Sequence, residues 1–124
     1  MSEDQLQAEM FKWVWNTYPQ LRHHIWAVPN GAVLDIRTAQ KMKATGLLSG
    51  VWDLHMFWRS HFYVFEQKVG KNQLTRDRLS KSGARIYGQL EWGERMRAHG
   101  ATTYIIRTLE QFQFIIVEIL VKYP

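Results

Sequence analysis

Two carboxylates and one lysine interrupt two apolar segments of the chain. Residues 51–58 and 62–67 are rich in β-branched and aromatic side chains, and Asp53, Glu66 and Lys68 lie within or beside them. Side chains alternate faces along a strand, so Glu66 and Lys68, two residues apart, face the same side. Buried acids of this kind are typical of a divalent cation site. The same sequence would also result if Asp53 were a turn residue at a strand end and Glu66 and Lys68 formed an ion pair on the surface.

The connection between the two segments decides how close these residues come. It consists of Arg59, Ser60 and His61, which is too short for anything except an antiparallel hairpin. The hairpin places the start of the first strand beside the end of the second, so Asp53 comes close to Glu66. Two neighbouring carboxylates repel unless a cation lies between them, and hard oxygen ligands suit Mg²⁺ or Mn²⁺.

Lys68 and the main chain of Gln67 complete this candidate site. The lysine could stabilise negative charge that develops on a phosphate, or help to orient an attacking water molecule. The carbonyl oxygen of Gln67 could supply a further cation ligand. The sequence therefore favours metal-assisted phosphate chemistry at the end of the hairpin.

Composition limits the other possibilities. The 124 residues suffice for one domain with one core, and the absence of cysteine excludes disulfides, thiolate metal sites and a cysteine nucleophile. No apolar run approaches the roughly 20 residues of a membrane span, and the polar start MSEDQLQ lacks the features of a signal peptide. We therefore expect a cytoplasmic protein, of a bacterium or of a phage-infected host cell, with no membrane partner.

Positive charge is concentrated after the hairpin. The formal net charge is +5 and the pI is near 9.7, which favours polyanionic partners such as nucleic acid. Residues 68–85 contain one acid, Asp77, and six basic residues: Lys68, Lys71, Arg76, Arg78, Lys81 and Arg85. With Gly70 and Gly83 and little periodicity, the pattern predicts a long mobile loop over about 69–85. It is either a solvated insert or an arm that contacts DNA phosphates.

A second candidate for phosphate contact precedes the hairpin. Asn30 and Gly31 predict a tight turn with exposed N–H groups, and Arg37, Lys41 and Lys43 follow on a short helix. An ordinary turn followed by a solvated helix face explains the same residues. Both interpretations remain open from the sequence.

The elements that must position these residues alternate between helix and strand. Helices are predicted at residues 2–16, 37–45, 84–100 and 109–123, and strands at 25–28, 51–58, 62–67 and 102–107. The order α-β-(α)-β-β-α-β-α predicts one α/β domain over residues 1–124, with a mixed central sheet flanked by helices. The last helix is apolar around most of its circumference, so it is either deeply packed or faces a second subunit.

Five short motifs follow one another in order from residue 3 to about residue 107. They are EDQLQ at 3–7, PNG at 29–31, KATGLLSGVWD at 43–53, EQK at 66–68 and the later Gln89. Each motif is weak alone, but the ordered set resembles the VRR-NUC family of the PD-(D/E)XK nuclease superfamily. The resemblance implies a restriction-endonuclease-like fold and a Mg²⁺- or Mn²⁺-dependent nuclease acting on DNA. It further implies a homodimer that cuts branched DNA such as Holliday junctions.

The resemblance also implies roles for individual residues. Asp53 and Glu66 would hold the metal with Glu3 as an additional acid, Lys68 would be the catalytic lysine, and Gln89 and Glu3 would complete the catalytic set. The Gln67 carbonyl stays a metal ligand predicted from strand geometry alone. The charge and turn patterns described above predict the DNA contacts, which are Asn30, Lys43, Lys71, Arg76, Arg78, Lys81 and Arg85.

The sequence departs from the family pattern in two places. Trp52 precedes the aspartate where the family usually has proline, and Gln89 lies 23 residues after Glu66, a wider gap than usual. Gln73 therefore competes with Gln89, and Glu9 competes with Glu3 as the acid of the first helix. Two other functions stay open: a DNA-binding module without catalysis, and a restriction-type endonuclease that reads sequence in duplex DNA.

Overall fold

A four-stranded mixed sheet forms the centre of the molecule, and the computed structural model describes residues 1–29 and 35–124 of the chain. The helices are α1 (Glu3–Thr17), α2 (Ile36–Ala44), α3 (Gln89–Ala98) and α4 (Leu109–Lys122), with a short 3₁₀ turn at Pro19–Leu21. The strands are β1 (Ile25–Ala27), β2 (Leu54–Trp58), β3 (His61–Gln67), β4 (Arg78–Leu79), β5 (Arg85–Ile86) and β6 (Thr102–Ile106). This architecture confirms the predicted α/β class.

The sheet order is β1-β2-β3-β6. The β1/β2 and β2/β3 pairs are antiparallel, and β6 is parallel to β3. Arg59 and Ser60 form the hairpin turn, and both have the positive φ that suits a two-residue hairpin loop. Leu54 pairs with Phe65, so the next residues outward, Asp53 and Glu66, lie side by side at one end of the hairpin. The predicted hairpin is therefore present, although β2 begins at residue 54 rather than 51.

Local signals explain where the first helix begins. The Ser2 hydroxyl accepts a hydrogen bond from the Gln5 N–H, and the Gln5 side chain accepts one from the Ser2 N–H, which is a capping box. Leu6, Met10 and Val14 recur at helical spacing and are buried. Because the cap determines the helix start, Glu3 and Gln7 are placed one turn apart beside the sheet.

Core residues lie on both faces of the sheet. The larger cluster joins one face to α1 and α4 and includes Leu6, Phe65 and Phe112. The smaller cluster consists of Trp52, Val64 and Trp92, with Trp92 supplied by α3. The two clusters enclose the central strand β3, which explains why the middle of that strand, residues 62–65, is apolar or aromatic.

The basic segment differs from the predicted mobile loop. It contains a small antiparallel ribbon, β4 paired with β5, which we call the basic ribbon. One Asp77 carboxylate oxygen accepts a hydrogen bond from the Gly88 N–H at 2.7 Å, and the other accepts one from the Arg85 guanidinium at 3.0 Å. These contacts between distant residues hold the segment in a defined shape.

The third helix also begins later than predicted. Gly88 is extended, with φ −100° and ψ 157°, and α3 starts at Gln89 rather than near residue 84. Ile86, which falls inside the helix predicted over residues 84–100, instead lies in β5. The helical periodicity was misread there because the Asp77 contacts keep the chain extended up to Gly88.

The final helix is partly packed and partly exposed. Phe112, Ile116 and Ile119 are buried in the larger cluster, whereas three apolar side chains face outwards. These three, called the α4 stripe, are Phe114, Val117 and Val121. No helix in the described part of the chain is long and apolar enough to cross a membrane.

Candidate active site

Glu66 is the buried centre of the site. Only 1% of its surface is exposed, and its two carboxylate oxygens accept hydrogen bonds from different directions. One oxygen accepts from the Asp53 N–H at 3.2 Å, and the other accepts from the Gln89 side-chain amide at 3.1 Å. The hairpin register supplies the first contact and the start of α3 supplies the second. A carboxylate held in this way has a defined orientation.

Burial makes both acids harder to ionise. Removal from water, reinforced by the nearby Asp53 charge, raises the pKa of Glu66 to about 8. Removal from water likewise raises the pKa of Asp53 to about 6, while the Lys68 ammonium acts in the opposite direction. Two carboxyl groups that are costly to ionise without a counter-charge would be stabilised as anions by a divalent cation.

Lys68 and Glu3 form an ion pair next to these acids. The Lys68 Nζ lies 4.0 Å from the Glu3 Oε1, and the same oxygen accepts a hydrogen bond from the Asn72 side chain at 3.2 Å. Lys68 is buried and Glu3 is half-buried, so the pair shields the lysine from bulk water. Glu9, the competing acid of α1, is exposed. The structure thus brings Glu3 to the lysine.

Gln67 points towards α1, away from Glu66. Its side-chain amide donates to the Gln7 side-chain oxygen, which links β3 to the first helix. The Gln67 Oε1 is buried and has no hydrogen-bond partner among the described residues. An unpaired acceptor oxygen in such a place is costly unless another donor or a cation satisfies it.

Gln89 is the first residue of α3 and contacts three parts of the site. Besides donating to Glu66, its side-chain oxygen accepts from the Thr75 N–H at 3.2 Å, and its main-chain oxygen accepts from the Trp52 indole at 2.8 Å. Gln73, the competing glutamine, donates to Lys71 within its own segment. The structure therefore brings Gln89, and not Gln73, to the buried glutamate.

Trp52 is a positioning residue that sequence analysis missed. It is 1% exposed, and its ring lies so close to Gly93 that a Cβ atom there would be 2.4 Å from it. The glycine lets α3 approach the ring, and the ring nitrogen then binds the main chain of Gln89. A tryptophan immediately before the aspartate, together with a glycine inside a helix, is the signal that could have revealed this contact.

Arg107 is a second residue that the sequence did not reveal. Its guanidinium donates to the main-chain oxygens of Gly70 and Asn72, at 3.2 and 3.0 Å. The contact fastens the start of the basic segment to the end of β6. Since Asn72 also binds Glu3, the segment is attached directly to the site.

The residues predicted to contact DNA are mostly exposed. Lys71, Arg76, Arg78, Lys81 and Arg85 lie on or beside the basic ribbon, and Lys43 is exposed on α2. Arg85 is paired with Asp77, so part of its charge is already neutralised. Asn30 lies outside the described residues.

The donor set fits a cation held by two side-chain carboxylates. Over residues 1–29 and 35–124, no three Asp, Glu or His side chains surround a single point that could hold a metal ion. Asp53 and Glu66 are the two carboxylates that could hold a divalent cation here, with main-chain or amide oxygens and water as further ligands. Glu3, the third predicted ligand, is engaged with Lys68.

Comparison with known proteins identifies the fold. A solved structure described as a VRR_NUC domain protein superposes with a TM-score of 0.64 and covers 99% of this chain and 88% of that one. The two sequences are 18% identical. No protein-family model and no curated protein matches the sequence. The chain thus has a VRR-NUC domain fold, as the order of its motifs implied.

The raised pKa of Glu66 predicts a pH-dependent stability in the absence of divalent cations. Between about pH 4.5 and 8 the folded state retains a proton that the unfolded state has released, so the free energy of unfolding should fall as the pH rises. We expect a decrease of roughly 2–4 kcal/mol across this window. Chemical denaturation at several pH values in a chelating buffer measures it.

The matched variant for this measurement is Glu66→Gln, which retains the shape and a hydrogen-bond acceptor but cannot ionise. Its stability should fall less over the same window and stay nearly constant above about pH 6, because only the raised pKa of Asp53 then contributes. A wild-type protein with constant stability, or a variant with the full decrease, would contradict the assignment of the effect to Glu66.

Proposed function

We propose that this protein is a deoxyribonuclease that hydrolyses phosphodiester bonds in DNA with Mg²⁺ or Mn²⁺. The observation that supports the proposal most strongly is the buried Glu66, oriented by Asp53 and Gln89 with Lys68 nearby. Buried acids whose ionisation is costly lower the stability of a fold, so a purely structural role explains them poorly. The VRR-NUC fold is consistent with this chemistry.

The division of labour follows from the contacts. Asp53 and Glu66 would hold the cation, which when bound supplies a Lewis acid that offsets negative charge on the phosphate. Lys68 would place a positive charge beside the cation and the phosphate. The Glu3 carboxylate pairs with the Lys68 ammonium and holds it in position. Gln89 orients the Glu66 carboxylate.

DNA would approach over the basic ribbon. Its exposed lysine and arginine side chains suit the phosphate backbone, and contacts to phosphate are largely independent of sequence. Because Asn72 and Thr75 attach the same segment to Glu3 and Gln89, DNA held there would lie next to the acids. Lys43 and Asn30 remain proposed additional contacts.

We further propose that the enzyme acts on branched DNA as a homodimer. Two symmetric cuts in a four-way junction require two active sites, which a twofold dimer supplies. The α4 stripe is an exposed apolar surface that suits such an interface.

The first prediction concerns catalysis. Asp53→Asn and Glu66→Gln should each lower the rate of Mg²⁺- or Mn²⁺-dependent DNA cleavage roughly 100-fold or more, because each removes a charge that the cation needs. DNA affinity should change by less than about threefold, since phosphate contacts lie elsewhere. Gel assays with labelled DNA measure the rate, and Glu9→Gln, an exposed acid on the same helix as Glu3, is the control. Wild-type protein that binds DNA without cutting it would instead support a binding module.

The second prediction concerns substrate class. With one protein preparation, four-way junctions and flaps should be cut faster than linear duplex of the same sequences, because the proposed substrate is a branch and not a sequence. Cleavage rates on this panel test the idea directly. Cutting of linear duplex at one sequence motif would favour the restriction-type alternative.

The third prediction concerns assembly. Phe114→Glu places a charge in the α4 stripe and should convert the dimer into a monomer, because burying an unpaired charge at an interface is costly. Light scattering after size-exclusion chromatography measures the mass. Phe57→Glu is the control, because Phe57 is also an exposed aromatic but lies on β2. A wild-type monomer would refute the dimer.

A further inference from the structure

One face of the basic ribbon exposes apolar and aromatic side chains. Leu79 and Tyr87 are 71% and 39% exposed, although Arg76, Arg78 and Lys81 on the same segment are charged. Isolated exposed apolar residues are common on proteins. A leucine and a tyrosine exposed together on one face of a small basic ribbon do call for an explanation, because the ribbon has few other side chains to cover them.

Strand register shows that these side chains share a face. Leu79 pairs directly with Arg85, so the two project to the same side of the ribbon. The Arg85 guanidinium lies 5.5 Å from the centre of the Tyr87 ring, two residues further along the chain. Leu79, Arg85 and Tyr87, which we call the ribbon face, therefore form a continuous surface of one aliphatic chain, one planar cation and one ring.

The ribbon face is attached rigidly to the candidate active site. The Tyr87 N–H donates to the Ser49 hydroxyl at 3.1 Å, just ahead of Asp53 in the chain. Gly88, which follows Tyr87, packs closely against Gly50. A Cβ atom on Gly50 would lie 2.7 Å from the Gly88 carbonyl oxygen. Gln89, which orients Glu66, follows immediately. Tyr87 thus links the segment that supplies Gln89 to the segment that leads into Asp53.

We propose that the ribbon face stacks on an unpaired nucleobase of the DNA strand beside the bond that is cut. Aromatic rings and arginine planes stack on the faces of bases, and such stacking tolerates any sequence because every base has a π-face. Bases inside a duplex have both faces covered by their neighbours, so only an unpaired base can use this surface. The inference rests on the proposed nuclease function and adds a way to distinguish branched from fully paired DNA.

Charge favours nucleic acid over other apolar ligands at this face. The exposed cations of the ribbon attract phosphates, and Arg85 stays near Tyr87 because Asp77 accepts its hydrogen bond. A base bound at the ribbon face would therefore have its own phosphates close to positive charge. Proteins that bind single strands likewise combine a surface on which bases stack with basic side chains that contact the backbone.

The test measures binding without cleavage. Fluorescence anisotropy of a labelled oligothymidylate, in a buffer with chelator and no divalent cation, reports affinity for unpaired DNA. Tyr87→Leu should weaken this affinity roughly fivefold to a hundredfold, whereas Tyr87→Phe, which keeps the ring, should leave it unchanged. Affinity for a fully paired hairpin should change by less than about twofold in both variants, because phosphate contacts dominate there.

Two controls separate stacking from other effects. Phe57→Leu removes another exposed aromatic ring, 49% exposed, near the opposite end of β2 from Asp53, and it should leave binding unchanged. Thermal unfolding midpoints of the variants should match the wild type, since the substituted side chains are partly exposed. An unchanged affinity of Tyr87→Leu for single strands, or an equal loss on duplex, would overturn the proposal.

The outcome is separable from that of the nuclease proposal. Loss of single-strand binding in Tyr87→Leu, combined with a wild type that cuts nothing in Mg²⁺ or Mn²⁺, would support the stacking surface and refute the nuclease. Cleavage by the wild type, combined with unchanged single-strand binding by Tyr87→Leu, would support the nuclease and refute the stacking surface.

Discussion

The rest of the site depends on the hydrogen bonds that the buried Glu66 carboxylate accepts. It is buried at the end of the central hairpin, and it is satisfied by one N–H from the adjacent strand and one amide from α3. Each of these donors requires a different part of the fold to be in place. The burial that raises the pKa of this acid is also the basis of the proposed cation, because an ionised pair with Asp53 would need compensating charge.

The second constraint is that hydrogen bonds attach the basic segment to the elements that carry the acids of the site. Asp77 holds the ribbon to the start of α3, while Thr75 and Asn72 bind Gln89 and Glu3. The proposed DNA-binding surface is thereby held at a defined position relative to the residues that would act on the strand. Such coupling favours catalysis on a bound strand, since positioning contributes much of the rate in phosphate chemistry.

Errors in sequence interpretation fall in this segment. The hairpin and α1 were predicted because their signals are local: a short connection between two apolar segments, and apolar residues at helical spacing. The basic segment was predicted as a mobile loop, and α3 was predicted to start too early, because Asp77 bonds to Gly88 and Arg85 only in the folded chain. Polarity and glycine content do not reveal which side chains will anchor a loop.

The sequence by itself determined that Asp53, Glu66 and Lys68 would gather at one end of an antiparallel hairpin, because strand alternation and a short turn leave no other arrangement. The tertiary structure decided which distant residues join them. It placed Glu3 beside Lys68, Gln89 against Glu66 and the indole of Trp52 behind Gln89. Those contacts depend on how the helices pack across the sheet, and no local pattern specifies that packing.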